Sequence, residues 1–253
     1  MSKQTRRDRI FELIKNAKKV TSEELSKCFG VTEETIRKDL QYLSDKGLII
    51  RTFGGAAIKE YGGERPLNQR MIQNYSEKKK IAAEAASLIH SGNLIVMDAG
   101  STITLLAQYI EQNSDVVVIT NSLETTNFLA KSEGITVICA GGKLRVKSMS
   151  FQGAQTENAI RSYNVQKAFI SCAAVDLKRG IMDTNEGEVR VKNCMIEEAD
   201  EVYLLADSSK INSIAHVTTC DLSKITAIVT DDGIDNDTVK EYERAGVKMI
   251  IAK

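Results

Sequence analysis

Residues 21–55 read TSEELSKCFGVTEETIRKDLQYLSDKGLIIRTFGG, and their spacing predicts a helix, a tight turn, a second helix and a small hairpin. Thr21 and Glu24 form a capping-box pattern: the threonine hydroxyl accepts from the backbone N–H three residues on, and the glutamate reaches back. Leu25 and Phe29 lie four apart on one face, and Gly30 supplies the left-handed residue that ends the helix. Val31 turns inward. Thr32 then caps a second helix in which Ile36, Leu40 and Leu43 share the buried face. The opposite face carries Thr35, Arg37, Lys38 and Gln41, side chains suited to phosphates and base edges. After Gly47, the strand-like run from Leu48 to Phe53 and the pair Gly54-Gly55 predict a wing that sets Arg51 beside a duplex. This is the pattern of a winged helix-turn-helix, with Thr32, Thr35, Arg37, Lys38, Gln41 and Arg51 as the expected DNA contacts. An ordinary three-helix domain with a basic face is the alternative, but cap, turn glycine, apolar register and wing agree independently on the first reading.

A chain of 253 residues is long for one domain, and its hydrophobic share of 42% is ordinary for a globular protein with a full core. The formal net charge of zero conceals an asymmetry: residues 1–59 hold 13 Lys/Arg against 8 Asp/Glu, and the remaining 194 hold 21 against 26. Only the first part attracts phosphate, and a surplus this modest leaves affinity to specific contacts and dimerisation. No stretch approaches the roughly 20 apolar residues of a membrane span, and the start, MSKQTRRDRI, lacks a signal peptide's apolar segment, so a cytoplasmic protein with no membrane partner is expected. Cys28, Cys139, Cys172, Cys194 and Cys220 are widely spaced, which suggests small buried thiols rather than a metal or redox centre. With only His90 and His216, a histidine metal site or a serine hydrolase triad is disfavoured.

Residues 59–76, with Gly62-Gly63 and the sole proline, Pro66, read as a linker between a DNA-binding domain at 1–58 and a second domain at 77–253. An amphipathic helix is expected from Glu77 to Ile89. Strand-length apolar runs then alternate with helices: Leu94 to Met97, Val116 to Ile119, Thr136 to Cys139, Ala168 to Ser171, Val202 to Ala206, Ala227 to Val229 and Val247 to Ile251. Buried parallel strands read this way, so the fold class is α/β, with a mostly parallel sheet.

Open α/β sheets bind ligands beyond the C-terminal ends of their strands. The first strand runs into Asp98-Ala99-Gly100-Ser101-Thr102-Ile103-Thr104 and directly into a helix, joining close backbone approach, hydroxyls and free N–H groups. The second ends in Thr120-Asn121-Ser122 and the third in Gly141-Gly142-Lys143. Three such loops converge on a small anionic, oxygen-rich ligand. Singly they are weak signals, since a Ser/Thr-rich turn also serves simply to cap a helix, and neither GxGxxG nor a Walker lysine pattern is present.

The N-terminal stretch resembles the DNA-binding domain of the DeoR family of bacterial transcriptional regulators, through Arg6, Arg7, Ile10, Val20, Leu25, the TIRKDL run at 35–40, Leu43, Gly47, Arg51 and Gly54-Gly55-Ala56. Phe53 departs, standing where many members carry histidine. Residues 77–232 resemble the effector domain of the same family, similar in fold to sugar-phosphate isomerases and coenzyme A transferases, through DAGSTIT, VITNS, AGG at 140–142, KAFIS, the segment around Glu186, LLADSSK and TDD. The resemblance implies a regulator, most often a repressor of a carbohydrate operon, that binds operator DNA as a homodimer or homotetramer, senses a phosphorylated sugar and needs no cofactor. It implies that Gly100, Ser101, Thr102 and Thr104 hold the phosphate and that Asp98, Asn121, Gly142 and Lys143 contact the rest, with Glu186 and Lys210 as additions. Gln166 and Ser171 depart where aspartate and glycine are frequent, and Ser101 replaces a common threonine; the first two are expected to reshape the pocket. An isomerase-like enzyme with an appended DNA-binding domain is the alternative function, with Asp98, Glu186 or Lys210 as its acid or base. Constitutive DNA binding over a vestigial pocket is a third.

Overall fold

Thr21 opens a helix as its spacing requires: its Oγ1 accepts from Glu24 N at 3.2 Å and its N–H donates to Glu24 Oε2 at 2.7 Å. The structure, a computed structural model, describes residues 3–46, 48–58, 64–110 and 115–253, so Gly47 and Gly62-Gly63 lie outside the described residues. It divides into two compact units, residues 1–73 and 74–253.

The first unit contains α1 (Lys3–Ala17), β1 (Lys19–Thr21), α2 (Ser22–Phe29), α3 (Glu33–Asp45), β2 (Ile49–Thr52), β3 (Gly55–Ile58) and α4 (Leu67–Ile72). Gly30 ends α2 at φ 62°, and Thr32 caps α3. Ile10 and Ile14 of α1 meet Leu25, Ile36, Leu40, Leu43 and Ile49 in one core, each contributing about 1.5–3 kcal/mol by leaving water. The three strands form an antiparallel sheet in the order β1-β3-β2. Gly55 lies so close to β1 that a Cβ would stand 2.1 Å from the Val20 carbonyl oxygen, which explains the second glycine of the pair.

The expected linker at 59–76 needs correction. Its later half is helical, because Leu67 is buried and Ile72 packs against the first unit's core, while the Pro66 carbonyl accepts the first helical bonds from Gln69 and Arg70. Proline is tolerated there because its missing N–H precedes the first turn.

In the second unit, α5 (Tyr75–Ala86) precedes β4 (Leu94–Met97), α6 (Ser101–Ile110), β5 (Val116–Thr120), α7 (Leu123–Leu129), β6 (Ile135–Cys139), β7 (Lys143–Arg145), β8 (Ser150–Gln152), α8 (Ala154–Arg161) and β9 (Val165–Ser171). Then follow β10 (Ala174–Asp176), β11 (Gly180–Asp183), α9 (Glu186–Glu197), β12 (Ala199–Leu205), β13 (Val217–Cys220), β14 (Ala227–Asp231), α10 (Asn236–Arg244) and β15 (Met249–Ala252). The seven strands expected from the apolar runs form one sheet, ordered β15-β14-β12-β9-β4-β5-β6, with every pairing parallel. The chain leaves β4 toward β5 and β6, then crosses back to lay β9 on the other side of β4. That reversal makes the C-terminal ends of β4 and β9 the topological switch point, where such sheets open a ligand crevice.

Two further sheets, β10-β11-β13 and the hairpin β7-β8, were not expected from the sequence. Among the cysteines, Cys172 and Cys194 are buried, whereas Cys28 and Cys139 are exposed and Cys220 lies between, so the expectation of buried thiols fails for Cys28 and Cys139. No group of metal-ligating side chains and no helix long and apolar enough to cross a membrane occurs among the described residues.

Candidate functional site

The surface expected to meet DNA is the outer face of α3. Thr32 Oγ1 accepts from Thr35 N at 3.3 Å and lies 3.0 Å from Thr35 Oγ1, so both hydroxyls are partly engaged at the helix start. Arg37 and Lys38 project outward, their side chains 59% and 73% exposed, with ion pairs to Glu33 and Glu34 at 3.5–4.0 Å. Exposed pairs of this kind contribute little and exchange readily for phosphate or a base. Gln41 Nε2 donates to Asp45 Oδ1 at 2.7 Å. Arg51 is half-buried and turned inward: its Nη1 donates to the Arg37 carbonyl at 3.1 Å, tying the wing to α3.

Sequence reasoning missed what holds α3. Asp39, in the same TIRKDL run, is buried, and its two oxygens accept from Arg6 Nε at 2.7 Å and Arg7 Nε at 2.8 Å. The Arg7 guanidinium also lies 3.8 Å from the Tyr42 ring centre, a cation–π contact on the same helix. A signal was present, since Asp39 falls three residues after Ile36 and beside Leu40, on the apolar register.

At the switch point of the second unit lies the α6 N-terminus. Gly100 precedes the helix and offers no capping side chain, and the first turn of α6 holds no acidic residue, whereas α5, α7, α8 and α10 each carry one and α9 carries two. The positive pole of the helix thus has no acidic side chain in its own first turn. Gly100 is required by packing, because a Cβ would lie 2.0 Å from Ser171 Oγ. Thr104 Oγ1 donates to the Gly100 carbonyl at 3.0 Å, so its proton is already spent. Thr102 Oγ1 and Asn121 Oδ1 are buried without a partner.

Asp98 and Ser171 join the two strand ends: Asp98 Oδ2 accepts from Ser171 N at 3.2 Å and Ser171 Oγ at 3.1 Å. Beneath them is Lys192 of α9, a buried lysine that sequence reasoning missed. Its Nζ donates to the Ser171 carbonyl and to Asp183 Oδ2 at 2.6 Å, and it lies 3.4 Å from Asp98 Oδ2. Thr219 Oγ1 donates to the same Asp183 oxygen at 3.1 Å. Burial opposes the Lys192 charge, but two carboxylates outweigh it and keep the ammonium protonated. For Asp183, burial is the larger effect and pushes its pKa up, only partly offset by Lys192, because two carboxylates compete for one cation.

The β7-β8 hairpin links the remaining loops. Asn121 accepts at its carbonyl from Phe151 N at 2.7 Å and donates from Nδ2 to the Phe151 carbonyl at 3.1 Å. From β8, Gln152 reaches Asn185 at 3.1 Å and Ser150 reaches Glu188 at 3.3 Å, while Arg145 of β7 reaches Glu188 at 3.2 Å. The Gly142-Lys143 loop and the start of α9, with exposed Glu186, are thereby carried on one connected scaffold with Asn121. No direct contact joins Lys143 or Glu186 to Asp98 among the described residues. Lys210 sits farther along the sheet, 3.9 Å from Asp207, whose Oδ1 accepts from Asn74 Nδ2 at 2.8 Å. Burial raises the Asp207 pKa, but Lys210, Ser209, Lys78 and Asn74 together outweigh it and hold the carboxyl below its ordinary range. Beside it, an open cleft of about 330 Å³ is lined by Ser208, Ser209, Ile211, Asn212, Gly233, Ile234, Asp235 and Thr238. This cleft is displaced from the switch point toward β12 and β14, and Thr230 Oγ1 on β14 is likewise buried without a partner.

The two sequence departures separate in space. Ser171 ends β9 against Asp98, but Gln166 is at the other end of the strand, accepting from Leu94 N at 2.9 Å and Asn93 Nδ2 at 3.1 Å, away from the loops expected to hold the ligand. His90 and His216 are both exposed.

The DeoR-like helix-turn-helix domain family matches residues 6–61, and the DeoR C terminal sensor domain family matches residues 73–232. Similar proteins include the uncharacterized HTH-type transcriptional regulator YulB of Bacillus subtilis, 38% identical over 96% of this chain and 95% of its own length. The putative aga operon transcriptional repressor of Escherichia coli O157:H7 is 32% identical, covering 97% of this chain and 93% of that protein. The glycerol-3-phosphate regulon repressor of Escherichia coli K12 is 32% identical, covering 90% and 91%. Among solved structures, ribose 5-phosphate isomerase A of Methanocaldococcus jannaschii aligns with 55% of each chain at 23% identity and a TM-score of 0.41.

Proposed function

The chain belongs to the DeoR family of transcriptional regulators, and from that premise we infer that it represses a carbohydrate-utilisation operon and is controlled by a phosphorylated sugar bound in its second unit. The observation that carries the effector reading is the acid-free N-terminus of α6 at the β4–β9 switch point, together with the buried, unpartnered Thr102 Oγ1 in its first turn and Asn121 Oδ1 at the end of β5. Backbone N–H groups at 100–103 and the Ser101 hydroxyl take the phosphate. Asp98, with one carboxylate oxygen engaged by Ser171 and Lys192, offers the other to sugar hydroxyls; Asn121, Gly142, Lys143, Glu186 and Lys210 complete the surround.

Regulation follows from linkage. The protein acts as a homodimer or higher oligomer on inverted half-sites, and the sugar phosphate binds one arrangement of effector units better than the other. A coupling of about 1–3 kcal/mol changes operator affinity about 5- to 150-fold. The site binds without turnover: Asp98 is held by Ser171 and Lys192, which suits a fixed acceptor better than a mobile base. The regulator works in the cytoplasm, where operator and phosphorylated metabolite coexist.

A thermal-shift panel of sugar phosphates and their unphosphorylated parents tests this, run on the wild type, Ser101→Ala and Lys143→Ala. Stabilisation by one phosphorylated compound, lost in both variants, is expected. A flat response across the panel would remove the sugar-phosphate reading, and turnover of a bound compound would restore the isomerase alternative.

A further inference from the structure

The wing ends in an aromatic side chain that the protein does not use. Phe53 occupies the first position of the two-residue turn between β2 and β3, and its relative exposure is 107%, the highest among the large hydrophobic residues described. A phenylalanine held wholly in water forgoes a burial worth about 1.5–3 kcal/mol. Its position is fixed rather than loose. The next residue, Gly54, takes φ 76° and its carbonyl accepts from Ser22 N at 2.8 Å, which fastens the turn to the start of α2. Gly55 packs without room for a Cβ against Val20 and Thr21, and Arg51 ties β2 to the Arg37 carbonyl of α3 at 3.1 Å. The turn is therefore anchored on both flanks, and the ring is presented outward at the tip of a wing whose β2 strand is tied to the α3 backbone.

We propose that Phe53 is an apolar wedge that enters the minor groove next to the major-groove site of α3 and favours DNA that unstacks easily there. The proposal rests on α3 reading DNA in the major groove. With that helix docked, a wing bound to its backbone lies along the adjoining phosphate strand, and its tip reaches the neighbouring minor groove. A phenyl ring gains nothing from phosphates and has no donor or acceptor with which to read a base edge. It gains area against sugars and between base steps, at the cost of partly unstacking them. Pyrimidine–purine steps yield most readily and A-tracts least, so the ring selects by deformability rather than by hydrogen bonding. The basic residues of α3 and the apolar tip thus divide the work: the first set the register, and the second discriminates among flanks.

The test uses the full-length protein to enrich duplexes from a random pool, then measures binding to the enriched duplex, with 2-aminopurine placed at successive flanking positions. The enriched flanks should hold a pyrimidine–purine step, and the fluorescence of one flanking 2-aminopurine should rise on binding. Phe53→Ala should weaken binding by about tenfold, abolish that rise and leave the salt dependence unchanged, because no phosphate contact is lost. Phe53→Leu should recover most of the affinity. Equal affinity and fluorescence for Phe53→Ala would overturn the wedge while leaving DNA binding intact. So would a loss of affinity accompanied by a fall in molar mass by light scattering, since Phe53 would then be a contact between protein copies. If nothing is enriched, the major-groove reading fails and the wedge falls with it.

Discussion

Lys192 holds Asp183 at 2.6 Å, with both side chains shut away from water beneath the β4–β9 crevice. Removing one partner of such a pair strands the other's charge. Lys192→Met should therefore cost about 3–5 kcal/mol of stability in urea denaturation. The double variant Lys192→Met/Asp183→Asn should recover part of that loss. Equal stability of the single variant and the wild type would show that the cluster does not act as an ion pair.

Asp207 gives the stability a defined acid limb. Its folded pKa lies below the unfolded value of about 3.9. The stability it contributes is therefore complete above that value and is lost as the pH falls through the lower, folded pKa. Wild type and Asp207→Asn should differ most in melting temperature near neutrality and converge in strong acid. A constant difference across the titration would mean that the variant loses packing rather than charge.

The two glycines of the wing should respond differently to alanine. Gly54 has open space around it and a positive φ, so Gly54→Ala should cost about 1 kcal/mol of backbone strain. A Cβ at Gly55 meets backbone 2.1 Å away, which no rotamer relieves, so Gly55→Ala should cost more and disturb the pairing with β1. Chemical denaturation of the two variants ranks them, and the reverse ranking would contradict the register of β1 on β3.

On α3, Arg37 and Lys38 are adjacent, exposed and paired only with exposed glutamates. Arg37→Ala is expected to weaken an enriched duplex by about 1–3 kcal/mol while barely changing random DNA. Lys38→Ala should weaken both alike and lower the salt slope by about one. Titrations on the two duplexes at several salt concentrations separate these roles, and equal losses for Arg37→Ala would reassign it to phosphate.

Local signals made much of this legible in the sequence. The Thr21–Glu24 box, Gly30 and the inward set Ile36, Leu40 and Leu43 act over a few residues, and a buried parallel strand announces itself by its apolar run. The β10-β11-β13 sheet depends on pairing Met182 with Thr218, far apart in sequence and in strands of three or four residues, so no local pattern marks it. Lys192 and Asp39 were missed for a related reason. A charge on the apolar register is favourable only because of remote partners, Asp183 and Asp98 in one case and Arg6 and Arg7 in the other. α4 looks like linker because Pro66 and the nearby glycines signal a break, whereas the helix depends on Leu67 being buried and Ile72 packing on the first unit's core.

The arginine clamp on Asp39 separates two kinds of information carried by a single helix. The residues that settle where α3 stands face inward and answer to α1, while Arg37, Lys38 and Gln41 face outward and pair with acidic neighbours on α3 itself. On the proposed reading, an exchange at Arg37 or Gln41 would therefore alter the message without moving the reader. Descendants of such a chain can acquire new operators one substitution at a time, with no repair of the fold in between.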